Sequence, residues 1–537
     1  MLARCVTALS MLLVLKVPAM AGTVDVDALL RETEEAVEKL DASIEKASMR
    51  ASLAMAYAKR GNRQKALHLL NRAVNLALNI PPDWISLHDL LDQSYLMRRA
   101  IRGQAKLADV AGALRNAKAW SDSQRPNITG TEEYESVVSG QADAGDVAGA
   151  WATCDRISPL WGFRALALSG VAVTLAEARH FEAALETVDR LDKVPAENKD
   201  AAKTKQLYRN QSLLMIACEQ AKCGRVEEAL RTAERPNRDL LKITTLQHIA
   251  KIRLEHGDER VARQVVAKAL SLYARLDAAQ QRSLWTMAPS QAEVGDVPGA
   301  LKTTSELLEG GGKGFALLAI SIAQSKVGER AKAAQTFKEG LDLAKSRPVG
   351  GWYTLLSAAE EQVQGREFDR AMEIAQFVER PSLVLRDVAV GLAQSGNIRR
   401  ALEIAYSIKD VASDKAEALS NVAAIQAKAK DALAKRTFQH AFEAAMSDED
   451  DVVILKKVGL AQVRAGYVDA AADTFRETRK RVIRAQSEEV KLADIARAQA
   501  GGGDPAGALA WARSQSSRLF RAQGLVGALE GLTEGPE

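Results

Sequence analysis

One phrase recurs along this chain at nearly regular distances: ADVAGALRNAKAW from Ala108, GDVAGAWATCDRI from Gly145, GDVPGALKTTSEL from Gly295 and GDPAGALAWARSQ from Gly503. Anchored on the leading residue, markers fall at 61, 108, 145, 179, 224, 257, 295, 328, 366, 396, 429, 466 and 503, and an Ala stands five residues after each, from Ala66 to Ala508. Recurrence every 30 to 47 residues is the mark of a solenoid, whose units are single supersecondary elements that bury their apolar faces only by stacking on neighbours. Such tiling leaves no uninterrupted stretch for a separate catalytic domain.

The phrase has a physical meaning. Gly at the marker, as at Gly61, Gly224, Gly295, Gly328, Gly396 and Gly466, ends a helix in the left-handed conformation that Gly adopts without steric cost. The next residue is often Asp or Asn, as at Asn62, Asp146, Asp258, Asp296 and Asn397, and such side chains accept hydrogen bonds from the free N–H groups that open a helix. Pro298 and Pro505 fall in the first turn, where a missing N–H does no harm. Both flanks are helical in period: Leu317, Ile320 and Ile322 precede Gly328, and Ala333, Phe337 and Leu341 follow it. The expected fold is all-α, a right-handed α-solenoid of about thirteen antiparallel helical hairpins. Sparse aromatics, 5% of the chain, agree with close helix-on-helix packing through Ala.

GERAKAAQTFKEG supplies Gly328, Ala333, Phe337 and Gly340, and AYAKRGNRQKALHLLNRA supplies Tyr57, Gly61, Ala66 and Ala73. In these residues the chain resembles the tetratricopeptide-repeat family over roughly residues 46 to 515. The resemblance implies that the first helix of each hairpin lines a concave surface. The family's inward slots then select Lys251, Trp285, Phe315, Tyr353, Arg386 and Lys456 as candidates for a partner-binding groove. The family's Tyr four before the turn is here mostly Gln, at Gln104, Gln141, Gln220, Gln291, Gln324, Gln362, Gln462 and Gln499. These amides either grip a peptide backbone or join the two helices of a hairpin, and a slot near the stacking seam favours the second.

Unit lengths fall into two classes. The markers at 257, 328, 429 and 466 are followed by the next after 37 or 38 residues, those at 224, 295, 366 and 396 after 30 or 33. The long class often carries Thr-Phe, as in Thr336-Phe337, Thr437-Phe438 and Thr474-Phe475. Its extra residues predict second helices longer by about one turn.

The first residues, MLARCVTALSMLLVLKVPAMAG, combine a positive charge, a short apolar stretch and a small-x-small site at Ala19-Met20-Ala21, the pattern of a signal peptide cleaved after Ala21. The apolar stretch is about half of the ~20 residues a membrane span needs, so no stable membrane insertion is expected after cleavage. Residues 1–21 are thus read as a leader, 22–45 as a capping helix, 46–515 as the repeat array and 516–537 as a C-terminal capping helix and tail. The protein is expected to be exported, either periplasmic or secreted.

The formal charge is +4, and removing Arg4 and Lys16 with the leader leaves +2, too little to imply a polyanion partner. The basic run RETRKRVIRAQ from Arg476 reads as a solvated helix face, and no nucleic-acid role is assigned. Cys154, Cys218 and Cys223 are too few for a disulfide framework and read as small buried hydrophobes. EGGGKGFAL lacks the Ser or Thr a phosphate loop requires after its Lys. The six histidines show no ligand spacing, and SDEDD at 447–451 reads as a helix start. No catalytic, cofactor or metal site is expected. The function expected is a non-catalytic scaffold that binds a protein or peptide. The alternative is a helical-hairpin enzyme or enzyme subunit of the cell envelope, which a pocket holding two close carboxylates would favour.

Overall fold

The computed structural model describes residues 24–41, 43–80, 87–123, 131–156, 161–196, 198–307, 310–346, 352–448, 451–485 and 491–534. The leader expected at residues 1–21 lies outside the described residues. Among those residues the chain is all-α, with 29 helices and no strand, and none is long and apolar enough to cross a membrane. It divides into two compact units, one formed by the chain up to Ala66 together with Leu419 onward, the other by Leu67–Ala418.

Helix α1 (Val26–Glu38) precedes thirteen antiparallel hairpins. The first six are α2/α3 (Ile44–Lys59, Arg63–Leu78), α4/α5 (Leu87–Lys106, Val110–Ser121), α6/α7 (Thr131–Asp143, Val147–Arg156), α8/α9 (Trp161–Glu177, Phe181–Asp192), α10/α11 (Lys199–Lys222, Val226–Ala233) and α12/α13 (Asp239–Glu255, Glu259–Tyr273). After the short α14 (Ala278–Ser283) come α15/α16 (Met287–Glu293, Val297–Ser305), α17/α18 (Gly311–Lys326, Arg330–Ser346), α19/α20 (Trp352–Gln364, Phe368–Ala375) and α21/α22 (Pro381–Gln394, Ile398–Ser407). The last three are α23/α24 (Ala412–Lys428, Ala434–Met446), α25/α26 (Val452–Arg464, Val468–Ala485) and α27/α28 (Leu492–Gly502, Pro505–Ser514), and α29 (Arg518–Glu534) ends the array. The fold is a tetratricopeptide-like α-solenoid in which the first helix of one hairpin packs on the first helix of the next, as α15 on α17 and α17 on α19.

One turn geometry generates every hairpin. All thirteen turn residues have positive φ, from 59° to 120°. The residue after each donates its N–H to the carbonyl five positions back, as Asp146 to Gln141 (2.8 Å), Glu329 to Gln324 (2.9 Å) and Tyr467 to Gln462 (2.9 Å), which satisfies a carbonyl the helix end would otherwise leave free. In the eleventh turn the left-handed residue is Lys430, not the expected Ala429. Asp431 there donates to Gln426 (2.9 Å), so Gln426 joins the recurrent Gln series and Ala434 follows its turn residue by four positions. All thirteen Ala side chains of the repeat are fully buried, where a larger side chain would hold the two helices apart.

The recurrent Gln is buried at all nine positions; at Gln104, Gln141, Gln220, Gln291 and Gln462 it joins the two helices of its hairpin, whereas Gln362 donates to the Leu318 carbonyl of the preceding hairpin (3.0 Å). Gln141 accepts from Thr153 Oγ1 (2.7 Å) across the hairpin and donates to Asp146 Oδ2 (3.1 Å), while Asp146 Oδ1 caps the second helix at Gly149 N–H (2.9 Å). The same circuit links Gln291 to Thr303 (2.7 Å) and Asp296 (3.2 Å). Parts of it recur as Gln220–Thr232 (2.8 Å), Gln462–Thr474 (2.7 Å), Gln426–Asp431 (2.7 Å) and Gln499–Asp504 (2.6 Å). An amide buried at this slot, as all nine are, is out of reach of a peptide backbone. At the α12/α13 turn Arg253 takes the Gln position and pairs with Asp258 (2.5 Å), so Asp258, expected to cap α13, makes no side-chain cap bond.

Second helices follow unit length. In the long units α13, α18, α24 and α26 have 15, 17, 13 and 18 residues, and in the short units α11, α16, α20 and α22 have 8, 9, 8 and 10. The difference is nearer two turns than the one expected.

Within the unit that holds both chain ends, α1 and α2 pack on α29. Glu32 of α1 receives Arg513 (2.8 Å) and faces Arg521 (3.6 Å), and Arg513 holds its carboxyl below the ordinary range. The basic run of α26 does not lie wholly in solvent. Arg476, Lys480 and Arg484 are exposed, but Arg479 is 4% exposed, bonds Gln499 and stacks 4.3 Å from the Trp511 ring. Helical period explains the split, because a continuous basic sequence places every third or fourth residue on the stacking face.

Two stability predictions arise from the turns. Arg179 occupies a left-handed turn position at φ 65° that costs a non-Gly residue about 1–2 kcal/mol. Arg179→Gly should stabilise the fold by about 0.5–1 kcal/mol after the extra unfolded-state entropy of Gly, read by urea denaturation. Gln291→Ala leaves Thr303 and Asp296 without their amide partner, so the same measurement should show a loss of about 2–3 kcal/mol.

Candidate functional site: a charged groove across consecutive hairpins

The Leu67–Ala418 unit contains an open groove of about 540 Å³, within the range of ligand pockets. Its walls are the C-terminal halves of α12, α15, α17 and α19, closed at one side by the start of α13. The apolar lining includes Leu254, Ala319, Ile322 and Ala323, and the charged rim comprises Lys251, Glu255, Glu259, Arg263, Glu293, Lys326 and Glu361. Gly365 lets the end of α19 approach α17, since a Cβ there would stand 2.5 Å from Ile322 Cγ2. Arg263 donates to the Val294 carbonyl (3.2 Å) and ties α13 to the turn after α15.

The turn geometry sets which side chains reach the groove. Glu255, Glu293, Lys326 and Gln364 each stand two residues before their turn residue, and all four line it. Schellman turns hold the last helical turn of each first helix in one conformation, so equivalent positions of successive units project to the same side.

Two carboxyls in the groove sense each other. Burial pushes Glu361 up to about 7, the Glu293 carboxylate adds to the rise and Lys251 opposes it. Glu293 is raised as well, again first by burial, with Lys251 and Lys326 pulling the other way and Glu255 pushing up. Glu293 still reaches solvent. The crowding of protein around a concave wall, rather than complete loss of water, is what disfavours its charge.

The six residues selected from the sequence are dispersed. Lys251 lines the groove. Trp285 and Phe315 meet each other edge to face, ring centroids 4.8 Å apart. Phe315 is buried, and Trp285 packs against the core formed by Ala288, Ala300, Ala316 and Ile320. Tyr353 lies on α19, with its side chain outside the described residues. Arg386 on α21 is half-buried and engaged with Asp387 (3.0 Å), Glu417 (3.6 Å) and Asp414 (3.8 Å). Lys456 is half-buried on α25, in the other unit. Sequence reasoning missed Glu293, Lys326 and Glu361. The signal for the first two was available, because aligning the repeats on the turn residue places both two positions before it.

The three cysteines among the described residues are unpaired, Cys154 and Cys218 buried and Cys223 partly so. Among the described residues no three His, Cys, Asp or Glu side chains converge as metal ligands.

No protein-family model matches this chain, and no curated protein does. Among solved structures it is similar to Ton1535 from Thermococcus onnurineus NA1, at 15% identity over 69% of this chain and 97% of that one, TM-score 0.25. It is also similar to the pentatricopeptide repeat protein PPR10 from maize, at 15% identity over 95% and 84%, TM-score 0.25. A third similar structure is Naa15/Naa10 bound to HypK-THB, at 13% identity over 93% and 85%, TM-score 0.27.

Glu361 gives the fold a pH dependence of definite sign. Between its usual 4.5 and about 7 the folded chain keeps a proton that the unfolded chain has lost, so stability from this group is present at low pH and falls as pH rises through 7. Because the group is partly solvated, Glu361→Gln should add about 1–2 kcal/mol at pH 8 and almost nothing at pH 4. Urea denaturation at the two pH values reads the difference.

Proposed function

We propose that this chain is an exported scaffold that holds a segment of a partner protein or peptide, with the groove on α12, α15, α17 and α19 as its principal contact. The observation that carries the reading is the groove itself: one ligand-sized concavity built by equivalent faces of consecutive first helices. A surface assembled from repeats is extended along the stack and suits an extended chain better than a compact small molecule. The partner is a protein segment rather than nucleic acid. The lining carries Glu255, Glu259, Glu293 and Glu361 against Lys251, Arg263 and Lys326, whereas phosphate binding calls for a basic excess. Export rests on the leader pattern at residues 1–21.

One observation favours the enzyme reading: two mutually interacting carboxyls, one near 7, share a groove, and a general acid is tuned to that range. Neither carboxyl is oriented by a hydrogen bond to another described residue, and catalytic groups need such support. Binding is therefore the better account.

A photo-crosslinking amino acid at Gln364, exposed in the groove, tests the reading in the native envelope fraction. The expected result is one protein adduct on a mature chain beginning at Gly22, absent when the crosslinker is moved to exposed Lys338 on α18. Equal labelling from both positions, or a mature chain that retains residues 1–21, would count against it.

A further inference from the structure

Charged side chains elsewhere in this chain commonly pair between helices, as Arg50 with Glu38 (2.7 Å), Arg102 with Asp143 (2.9 Å) and Lys268 with Glu234 (2.9 Å). In the groove several charged groups without such a pair share one recess. Lys251, Glu255, Glu293, Lys326 and Glu361 make no ion pair or hydrogen bond with another described residue, although all five converge on one concavity. Lys251 and Lys326 offset the carboxylates only at a distance, so direct charge-assisted hydrogen bonds to Glu293 and Glu361 are left for a guest to make.

The lining has two parts that belong to one kind of guest. Glu293 on α15 and Glu361 on α19 present carboxyls from different hairpins, and Leu254, Ala319, Ile322 and Ala323 give an apolar wall beside them. A cationic head with an aliphatic stem has that division of chemistry, since long basic side chains bury their methylenes along apolar surface and keep the charge at a polar end. Resting on the scaffold reading above, we infer that the groove receives a single basic side chain of the partner segment, its cationic head between Glu293 and Glu361 and its stem along Leu254, Ala319, Ile322 and Ala323. Lys251 and Lys326 at the rim repel a run of basic residues, so the site selects an isolated Lys or Arg flanked by neutral or acidic residues.

Occupancy then depends on pH. The charged groups facing Glu361 are Lys251 and Glu255 from α12, Glu259 and Arg263 from α13, Glu293 from α15, Lys326 from α17 and Glu360 beside it on α19. With Glu361 at about 7, the carboxyl is charged at pH 8 and mostly protonated at pH 5.5, so a cation binds more tightly at the higher pH and expels a proton near neutrality.

The test is a methyl-NMR titration of the full-length mature chain, read at the Ile322 methyl signals in the groove wall. The probes are acetyl-Ala-Arg-Ala-amide and acetyl-Ala-Glu-Ala-amide. The Arg peptide should give a saturable shift at pH 8 that weakens about tenfold at pH 5.5. It should weaken at least as much in Glu293→Gln/Glu361→Gln and tighten in Lys326→Ala, while the Glu peptide leaves the signals unmoved. Helical circular dichroism verifies that the variants are folded. The inference is overturned if the Arg peptide shifts nothing at pH 8, if the Glu peptide binds in its place, or if affinity is the same in the double Gln variant. The crosslink at Gln364 reports separately: an adduct there without Arg binding leaves the scaffold standing and removes the basic-side-chain site.

Discussion

Every other feature of this fold depends on the bond from the N–H after each left-handed turn residue to the carbonyl five positions earlier. That bond stops one helix and starts the next within about two residues, so the two axes must return antiparallel at close distance. The Ala of each repeat makes the approach sterically possible, and where the Gln–Asp–Thr circuit is complete, at Gln141 and Gln291, it gives the approach a direction. A purely apolar seam would tolerate sliding between the helices. Three polar groups that satisfy one another only in one register do not.

Because the turn is rigid, variation moves to the second helix. Long and short units differ by up to ten residues there, while the first helices keep the positions that reach the groove. In the long α17/α18 hairpin the two backbones meet at Gly314 and Gly340, where a Cβ on either would come within 3 Å of the opposing backbone. This close pairing adds helix length without changing the turn, so a longer unit alters what lies behind the first helices and leaves their C-terminal ends in place.

The repeat and its turns were legible in the sequence because backbone chemistry is local: a residue that must adopt positive φ, a cap and a buried Ala occur within six positions of one another. The same locality explains the slip at the eleventh unit. Counting back five residues from Ala434 points to Ala429, whereas the turn closes on Lys430 and Gln426, and only the Gln four residues before marks the true register. The groove was harder to read. Glu293 and Lys326 look like ordinary solvated residues near a helix end, and nothing local reveals that side chains from separate hairpins share one concavity. Trp285 and Phe315 misled for the complementary reason: aromatic residues at inward slots resemble a contact surface, but here each ring is the other's partner.

The structure thus assigns its charges to two kinds of work. At the contact of α1 with the end of the array Glu32 pairs with Arg513 and faces Arg521, and Arg497 of α27 holds Glu530 of α29. These pairs fix the register of helices far apart in sequence, a task for which the turn circuit has no reach. In the groove the fold already has its register from the turns, so side chains two positions before each turn are released from any structural duty. A repeat that secures itself through buried Ala, Gln and backbone leaves that slot free to change from unit to unit, to an interhelical ion pair where Asp143 meets Arg102 and to groove-lining groups along the stretch from α12 to α19. Glu255, Glu293, Lys326 and Gln364 are the four consecutive uses made of it, and their differing chemistry is where this array can carry specificity.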